Sequence, residues 1–491
     1  MASLRTIPTE LRLTIAELLD ARTCFKFAIA DREHHALYSA LLKKHKKLFA
    51  RYNTIDTHGA GRLVWDVTKE IIEKPELAQY VEDVSFPNTR QEVWDPDVYP
   101  DMLTRNSPNI VPEELVRLYT EAAMKVPIMS RMLEDGIYDC AFSAPGWTVE
   151  QTIRIGSDQP IVALLIAMAE NLRVLRFTEI RGAHDASNEI YGLIWSVVLA
   201  SADPAQTLPL PLQNLTHVAI SYADTEGSCE VAWAGHFCSL PALRGFAANK
   251  MGGSSRSSID DDEHANLPKS NVKNLLFDWC FFHPEALDDI LERTNSLETF
   301  VYTNGGACVS DEGTFAPRRV VAALLKCAAH SLEELILAGD EGDDDFEDEE
   351  IDFVSLRGFT KLRTLRCSWA TFTGMQSDNS DYDEELPDRG FHTRESTSHE
   401  WAKALPESLE ILHLEHEPYE EWEAFLHVLR SSPALLPNLK RVHAQNNFGR
   451  SLAVVTQALE EQGIAYDEEV EVIVSETSTK LGRLLHGQGV V

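Results

Sequence analysis

Two close histidine pairs, His34-His35 and His413-Leu-Glu-His416, are the first places to look for metal chemistry. Neither has the HExxH spacing that sets two imidazoles and a glutamate around zinc on one helical face. The eight cysteines, at 24, 140, 229, 238, 280, 308, 327 and 367, contain no CxxC pair that could join them. Each histidine therefore reads more plainly as a surface or core residue. The run 340–352 holds ten carboxylates and no base, and carboxylate oxygens suit hard cations. An EF-hand loop counted from Asp343 would place Asp348 where the turn demands glycine, so weak, unspecific cation attraction is the plainer reading. There is no G-x-S-x-G nucleophile elbow and no phosphate loop, and Gly59-x-Gly61 lacks a third glycine. Ser258, ahead of Asp260, Asp261, Asp262 and Glu263, is a candidate for an acid-directed kinase. Nothing else proposes a reaction: the expectation is no catalytic residue, no metal and no cofactor.

The elements that would position any site must come from 491 residues carrying 78 Asp+Glu against 44 Lys+Arg, a net charge of −34. A hydrophobic fraction of 44% excludes wholesale disorder. The length suggests several domains or one extended array. The acidity argues against the whole chain wrapping nucleic acid or lying on an anionic membrane. The longest apolar run, 161–169, is far short of the roughly 20 residues a bilayer span requires. The N-terminal residues do not form a signal-peptide pattern. Scattered cysteines fit reduced thiols, so the expected location is cytoplasmic and/or nuclear, with no membrane or nucleic-acid partner.

The first 51 residues differ from the rest, with ten Lys/Arg against five Asp/Glu. After Pro8, Leu11, Ile15, Leu18 and Leu19 share one helical face. Thr6 or Thr9 is a candidate cap, with Pro8 in a first turn. Phe25, Ile29, Leu37, Leu41 and Leu42 suggest further short helices. So few residues bury little core alone, a condition met by completing the core with a partner. The run Lys43-Lys44-His45-Lys46-Lys47 reads as a solvated helix face more readily than as a nucleic-acid patch.

The phrase Leu4-x-x-Ile-Pro-x-Glu-Leu-x-Leu-x-Ile-Ala-x-Leu-Leu-Asp resembles the F-box. That resemblance, over about residues 3–42, implies docking onto a Skp-type adaptor and through it a cullin ubiquitin ligase. Ile7, Pro8, Leu11, Ile15 and Leu18 would be the docking residues. The second half departs from the family wording, with Ala30-Asp31-Arg32-Glu33 in place of its cysteine-arginine phrase.

A second phrase, L-x-x-L-x-L with substitutions, recurs at Leu172/Leu175/Phe177, Leu215/Val218/Ile220, Leu243/Phe246/Ala248 and Val272/Leu275/Phe277. It returns at Leu297/Phe300/Tyr302, Leu332/Leu335/Leu337, Leu362/Leu365/Cys367, Leu409/Leu412/Leu414 and Leu439/Val442/Ala444, with Val81/Val84/Phe86 as an earlier candidate. Several copies open alike, with Asn171-Leu, Asn214-Leu, Ser331-Leu, Ser408-Leu and Asn438-Leu. Most copies start about 30 residues apart, which leaves room for one strand and one helix each. An ordinary parallel α/β sheet is the rival arrangement, and it gives no reason for repeated wording.

This pattern resembles the leucine-rich repeat family. The resemblance implies parallel strands on a concave face and helices on the convex one. The family's Asn or Cys after the strand is met only by Cys280 and Asn447, so an irregular array without a regular asparagine ladder is expected. The combination is similar to the irregular F-box proteins common in filamentous fungi.

The expected fold is therefore α/β: a short all-α head followed by an irregular leucine-rich-repeat solenoid. The expected divisions are a head over 1–50, linker helices and a first repeat over 51–150, the array over 151–450, and a cap and tail over 451–491. Residues 96–150 read as a helical insertion, while 252–270, 340–352 and 374–400 read as solvated excursions. A helix over 452–462 and a strand-like run over 470–474 would close the end. Strand alternation turns Arg176, Thr178, His217, Asn249, Asp278, Thr299 and Thr303 away from the core, and likewise Arg366, His413, Glu415, Arg441 and His443. Of these, Arg176, His217, Asp278, Arg366, His413, Arg441 and His443 are the candidate contacts for a protein substrate. A scaffold without a ligase role, or an enzyme with a dispersed site, remains open.

Overall fold

The computed structural model describes residues 7–30, 32–57, 63–86, 111–130, 149–154, 156, 158–179, 192–203, 210–222, 228–253, 269–305, 315–339, 354–368, 403–415, 419–445 and 452–467. The chain divides into two compact units, Met1–Thr216 and His217–Val491.

The first unit begins with helices α1 (Thr9–Glu17), α2 (Ala21–Ile29), α3 (Arg32–Leu37) and α4 (Ser39–Tyr52). Pro8 stands just before α1, at its N-cap, and makes no side-chain cap bond. Asp20 caps α2, where Oδ1 accepts from the backbone of Arg22 at 3.0 Å and Thr23 at 2.9 Å. Hydrogen bonds from Thr23 hold the Asp20 carboxyl below its usual range. Ala16, Cys24, Ala28 and Tyr38 form the head's core, with Leu13, Leu19, Phe27, Leu37, Leu41 and Leu42 packed against it. Phe27, His34 and Tyr38 stack with centroids 5.3–5.8 Å apart. Arg12 is also buried and donates to Glu33 at 3.0 Å.

Strands β1 (Thr54–Asp56), β2 (Asp83–Phe86) and β3 (Val174–Glu179) follow in the same unit, with α5 (Val64–Glu73), α6 (Glu113–Lys125), α7 (Val149–Arg154), α8 (Gln159–Met168) and α9 (Gly192–Ala202) between and after them. The strands run parallel, pairing Ile55 with Val84 and Val84 with Leu175. β1 has no counterpart in the sequence reading. The head is tied to this first repeat by several bonds. The Ala21 backbone donates to Gln79 at 2.9 Å, Arg22 pairs with Glu82, and His45 Nδ1 lies 2.5 Å from the Tyr80 hydroxyl. Arg51 and Tyr52 both bind Glu70. Helix α6 begins after Pro112, as its sequence suggests. It is held by the Tyr119 hydroxyl, which donates to the Trp65 carbonyl at 2.7 Å. The Trp65 indole in turn donates to buried Asp158 at 2.5 Å.

The second unit holds β4 (His217–Tyr222), β5 (Cys229–Glu230), β6 (Gly245–Asn249), β7 (Met251–Gly253) and β8 (Asn274–Phe282). It continues with β9 (Thr299–Asn304), β10 (Glu334–Ala338), β11 (Thr364–Ser368), β12 (Ile411–Glu415), β13 (Arg441–Gln445) and β14 (Ala465–Asp467). Helices α10 (Ala232–Cys238), α11 (Pro284–Glu292), α12 (Pro317–Ala328), α13 (Tyr419–Ser431) and α14 (Leu452–Glu460) fill the connections. β4, β6 and β8 to β14 lie side by side in chain order, every printed pairing parallel. Helix α14 matches its expected position. β14 is additional, and the run 470–474 lies outside the described residues.

The apolar anchors of the phrase are the core. Leu215, Phe246, Phe277, Phe300, Leu335, Leu365 and Leu412 are fully buried. Phe237, Phe246, Phe277 and Phe300 continue from unit to unit with centroids 6.2–6.3 Å apart. Where the family asparagine is missing, the repeated opening residue takes over part of the cross-linking. Asn171 donates to Gln79 O at 2.8 Å, Asn214 to Glu170 O at 2.9 Å, and Ser331 to Leu297 O at 2.8 Å. Ser408 reaches Leu362 O at 2.8 Å and Asn438 reaches Glu407 O at 2.8 Å. Each bond joins one repeat to the carbonyl of the repeat before it, so the ladder precedes the strand rather than following it.

Cys280 shows what the family position does when filled: its sulfur accepts from the Met251 backbone at 3.3 Å. Nearby, Lys250 and Trp279 both adopt positive φ, at 56° and 52°, in the bends after β6 and within β8. Hydrogen bonds hold these strained bends: Lys250 N donates to Asp278 O at 3.0 Å, and Trp279 N to Thr303 Oγ1 at 2.8 Å. They start a second small parallel sheet of β5, β7 and the end of β8. A Cβ on Gly252 would lie 3.0 Å from the Phe281 carbonyl, so this sheet needs glycine there.

Candidate interaction surfaces

The residue types that could do chemistry are mostly spent on packing. His34 is stacked in the head core and His35 is exposed, while His416 lies outside the described residues. Five of the six described cysteines are buried, with Cys327 half-buried. Burial pushes the Cys238 thiol up to about 12 and raises Cys280 as well, which suppresses the reactive thiolate. Among the described residues no group of three or more His, Cys, Asp or Glu could hold a metal ion. Ser258 and the runs 340–352 and 374–400 lie outside the described residues.

Two surfaces remain. The first is on the head. Leu11 is 55% exposed, Ile15 36% and Leu18 82%, and Phe25 and Ile29 on α2 are 55% and 58% exposed. Pro8 is exposed and Ile7 half-buried. Sequence periodicity marks Leu11, Ile15 and Leu18 as an apolar helix face, and such a face normally points into its own core. Here α1 instead points Ala16 and Arg12 inward. Phe25 and Ile29, whose spacing suggests a further short helix, also face solvent on α2. The inner faces of α1 and α2 bury Arg12, Ala16, Cys24 and Ala28, while Leu11, Ile15, Leu18, Phe25 and Ile29 lie outside. The lysines of α4, Lys43, Lys44, Lys46 and Lys47, are exposed, while His45 turns toward Tyr80.

The second surface is the strand face turned away from the core. In the first unit it carries Arg176, buried and paired with Asp83 at 2.7 Å. Burial raises the Asp83 carboxyl even though Arg176 pulls it down. Arg176 is therefore engaged with the strand of the preceding repeat rather than held out to solvent.

In the second unit the register sorts this face into three rows. The first row carries His217, Asn274, Thr299, Glu334, Thr364, Ile411 and Arg441. His217 is half-buried, and burial lowers its pKa. Thr299 and Glu334 are buried, whereas Arg441 is exposed.

The middle row runs Ala219, Ala247, Leu276, Val301, Ile336, Arg366, His413 and His443. The five apolar members are each at most 6% exposed. Reading the phrase alone missed them, because attention to polar residues between anchors passes over apolar ones. Their signal was available: Leu276, Val301 and Ile336 stand between buried anchors in consecutive copies.

In the third row Asp278 anchors a local network. Asn249 donates to its Oδ2 at 3.0 Å, and Thr303 donates to its Oδ1 at 3.0 Å. Trp279 projects beside this network, more than half exposed. The middle row thus changes along the array, apolar over β4 to β10 and carrying Arg366, His413 and His443 over β11 to β13.

His413 and His443 are register partners on β12 and β13 and stack at 5.8 Å with planes 25° apart. They are 4% and 1% exposed. Burial, reinforced by Arg366 and His443, drives the His413 pKa down to about 3, so its imidazole is neutral near pH 7.

One parallel strand per unit, leucine-type anchors buried under connecting helices, and side-chain bonds from each unit to the last define a repeat protein rather than a doubly wound sheet. The chain belongs to the leucine-rich repeat family, whose model, described as a leucine-rich repeat domain, matches residues 56–447. A comparison with curated proteins finds no match. The family supports a protein-interaction scaffold. Among the described residues no helix is long and apolar enough to cross a membrane.

Proposed function

We propose that this chain is a substrate-recognition subunit of a Skp-cullin-F-box ubiquitin ligase. The observation that carries this reading is the outward apolar face of the head. Of nine exposed large apolar residues among those described, five fall between Leu11 and Ile29. Such a cluster needs a partner, since scattered single apolar residues are the norm on a monomer surface. Three of the five, with Ile7 and Pro8, occupy the positions that the F-box resemblance assigns to adaptor contact.

In this reading the head binds a Skp-type adaptor and through it a cullin. The strand face of the array holds a protein substrate close to the ubiquitin-charged enzyme, raising its effective concentration. The chain supplies binding and orientation, and chemistry belongs to its partners. No metal, cofactor, nucleic acid or membrane enters, and the setting is cytoplasmic and/or nuclear.

Co-purification tests it. The wild-type chain brings down a Skp-type adaptor, and Leu11→Asp or Ile15→Asp loses it while the protein still folds. A folded wild-type chain that captures no adaptor overturns the ligase reading and leaves its two rivals, a scaffold without a ligase role and an enzyme with a dispersed site.

A further inference from the structure

Between Phe277 and Cys280 the pairing of β8 with β9 slips, so that Asp278 and Trp279 together stand opposite Thr303. This is a β-bulge, a device that re-aims a side chain. Regular alternation would turn Trp279 to the core side, where Phe277 lies. Instead Cys280 takes the inward place, and Trp279, at φ 52°, leaves its side chain 56% exposed. Glycine adopts such a φ readily, whereas a bulky residue there is strained. The bulge is held by Thr303, whose Oγ1 accepts from Trp279 N at 2.8 Å and donates to Asp278 Oδ1 at 3.0 Å. The fold therefore keeps a tryptophan at a strained position and holds its ring out to solvent, where it adds little to the core.

The surroundings say what that ring can hold. Unlike the buried middle row, the third row is half-exposed at Asn249, Asp278 and Thr303. The Asp278 carboxylate accepts from the neutral donors Asn249 and Thr303, and no cation pairs with it among the described residues. Lys250 reaches Asp278 through its backbone, whose N–H donates to the Asp278 carbonyl at 3.0 Å. A carboxylate offers about four lone-pair sites, so room remains for a charged donor. Charge along the array favours a cation here too. β10 ends in this row, two strands from β8, and the sequence that follows it, 340–352, holds ten carboxylates and no base. At the opposite edge charges cancel in pairs, Lys273 with Glu298 at 3.0 Å and Lys440 with Glu410 at 2.6 Å.

We propose that Asp278 and Trp279 form a docking point for a lysine or arginine side chain from a basic segment of a protein partner. The cation lies over the indole face, and its N–H groups donate to the Asp278 carboxylate. The acidic sequence after β10 adds a favourable field without belonging to the site. The inference deepens the proposed function by naming the class of segment bound, and it rests on the array being the partner-binding half. Adaptor capture is read separately, so its failure would leave this site standing.

The test uses the full chain and a fluorescent decapeptide of alternating arginine and glycine, with glutamine replacing arginine in the control, followed by anisotropy. The arginine peptide should bind about tenfold more tightly than the control and weaken as salt rises. Trp279→Gly removes the ring and relieves the strained φ, so affinity should fall about fivefold while the melting temperature holds or rises. Asp278→Asn, which keeps the side chain's shape, should lower affinity several-fold. Glu333→Gln removes an exposed charge at the opposite edge and should leave binding almost unchanged. No preference for the arginine peptide, equal binding by wild type and Trp279→Gly, or an equal loss in Glu333→Gln overturns the proposal. A melting temperature that falls in Trp279→Gly also overturns it, since the ring would then serve packing.

Discussion

Leu335 and Leu18 both belong to periodic apolar runs, yet Leu335 is fully buried and Leu18 is 82% exposed. The array spends its apolar residues inward, and even the middle row of the strand face turned from the core is apolar and buried from Ala219 to Ile336. The head, only four helices, buries Ala16, Cys24, Ala28 and Tyr38 and leaves Leu11, Ile15, Leu18, Phe25 and Ile29 to solvent. Periodicity identifies a face without deciding whether that face packs inward. The same spacing therefore marks a core in one region and an exposed apolar face in the other.

The comparison breaks most easily at the array's anchors. Leu335→Ala should cost about 2–5 kcal/mol, read by denaturant unfolding, because it opens a cavity between two paired strands. Leu18→Ala in the head should stay within about 0.5 kcal/mol. Equal losses would mean that both leucines serve a core.

A smaller effect belongs to His413. Its folded pKa near 3 lies below the usual 6.5, so the unfolded chain takes up the proton first and stability is lost as pH falls below 6.5. At pH 5 the loss from this group is about 2 kcal/mol. His413→Gln should flatten that part of the profile between pH 7 and 5, and an unaltered profile would show that His413 takes up its proton equally in the folded and unfolded chain.

Smaller again, Ser331→Ala removes the bond to Leu297 O and should cost about 1 kcal/mol. Replacing the exposed Thr360, in the corresponding loop, should cost less. A neutral Ser331→Ala would mean that the opening residues do not bind the repeats together.

Much of the array was legible because each anchor phrase reports burial directly. Leu409-x-x-Leu412-x-Leu414 says strand, face and repeat boundary at once. The Asn and Ser openings were visible as recurrences, but their hydrogen bonds to the preceding repeat depend on stacking that no single copy encodes. β1 and β14 escaped notice because three residues, such as Thr54–Asp56, leave no room for alternation to show. On the strand face, alternation gave direction without accessibility. His413, His443 and Arg176 stand on the strand face turned from the core, yet all three are buried. In the head the five docking candidates were legible by resemblance, and only their exposure required coordinates.

The most direct test separates binding from folding in the head. Titration of the purified chain with a purified Skp-type adaptor, alongside thermal melting, should show wild-type binding that falls at least a hundredfold in Leu18→Asp, with the melting temperature unchanged. Unchanged binding in Leu18→Asp, or a melting temperature that falls together with affinity, would contradict an outward docking face.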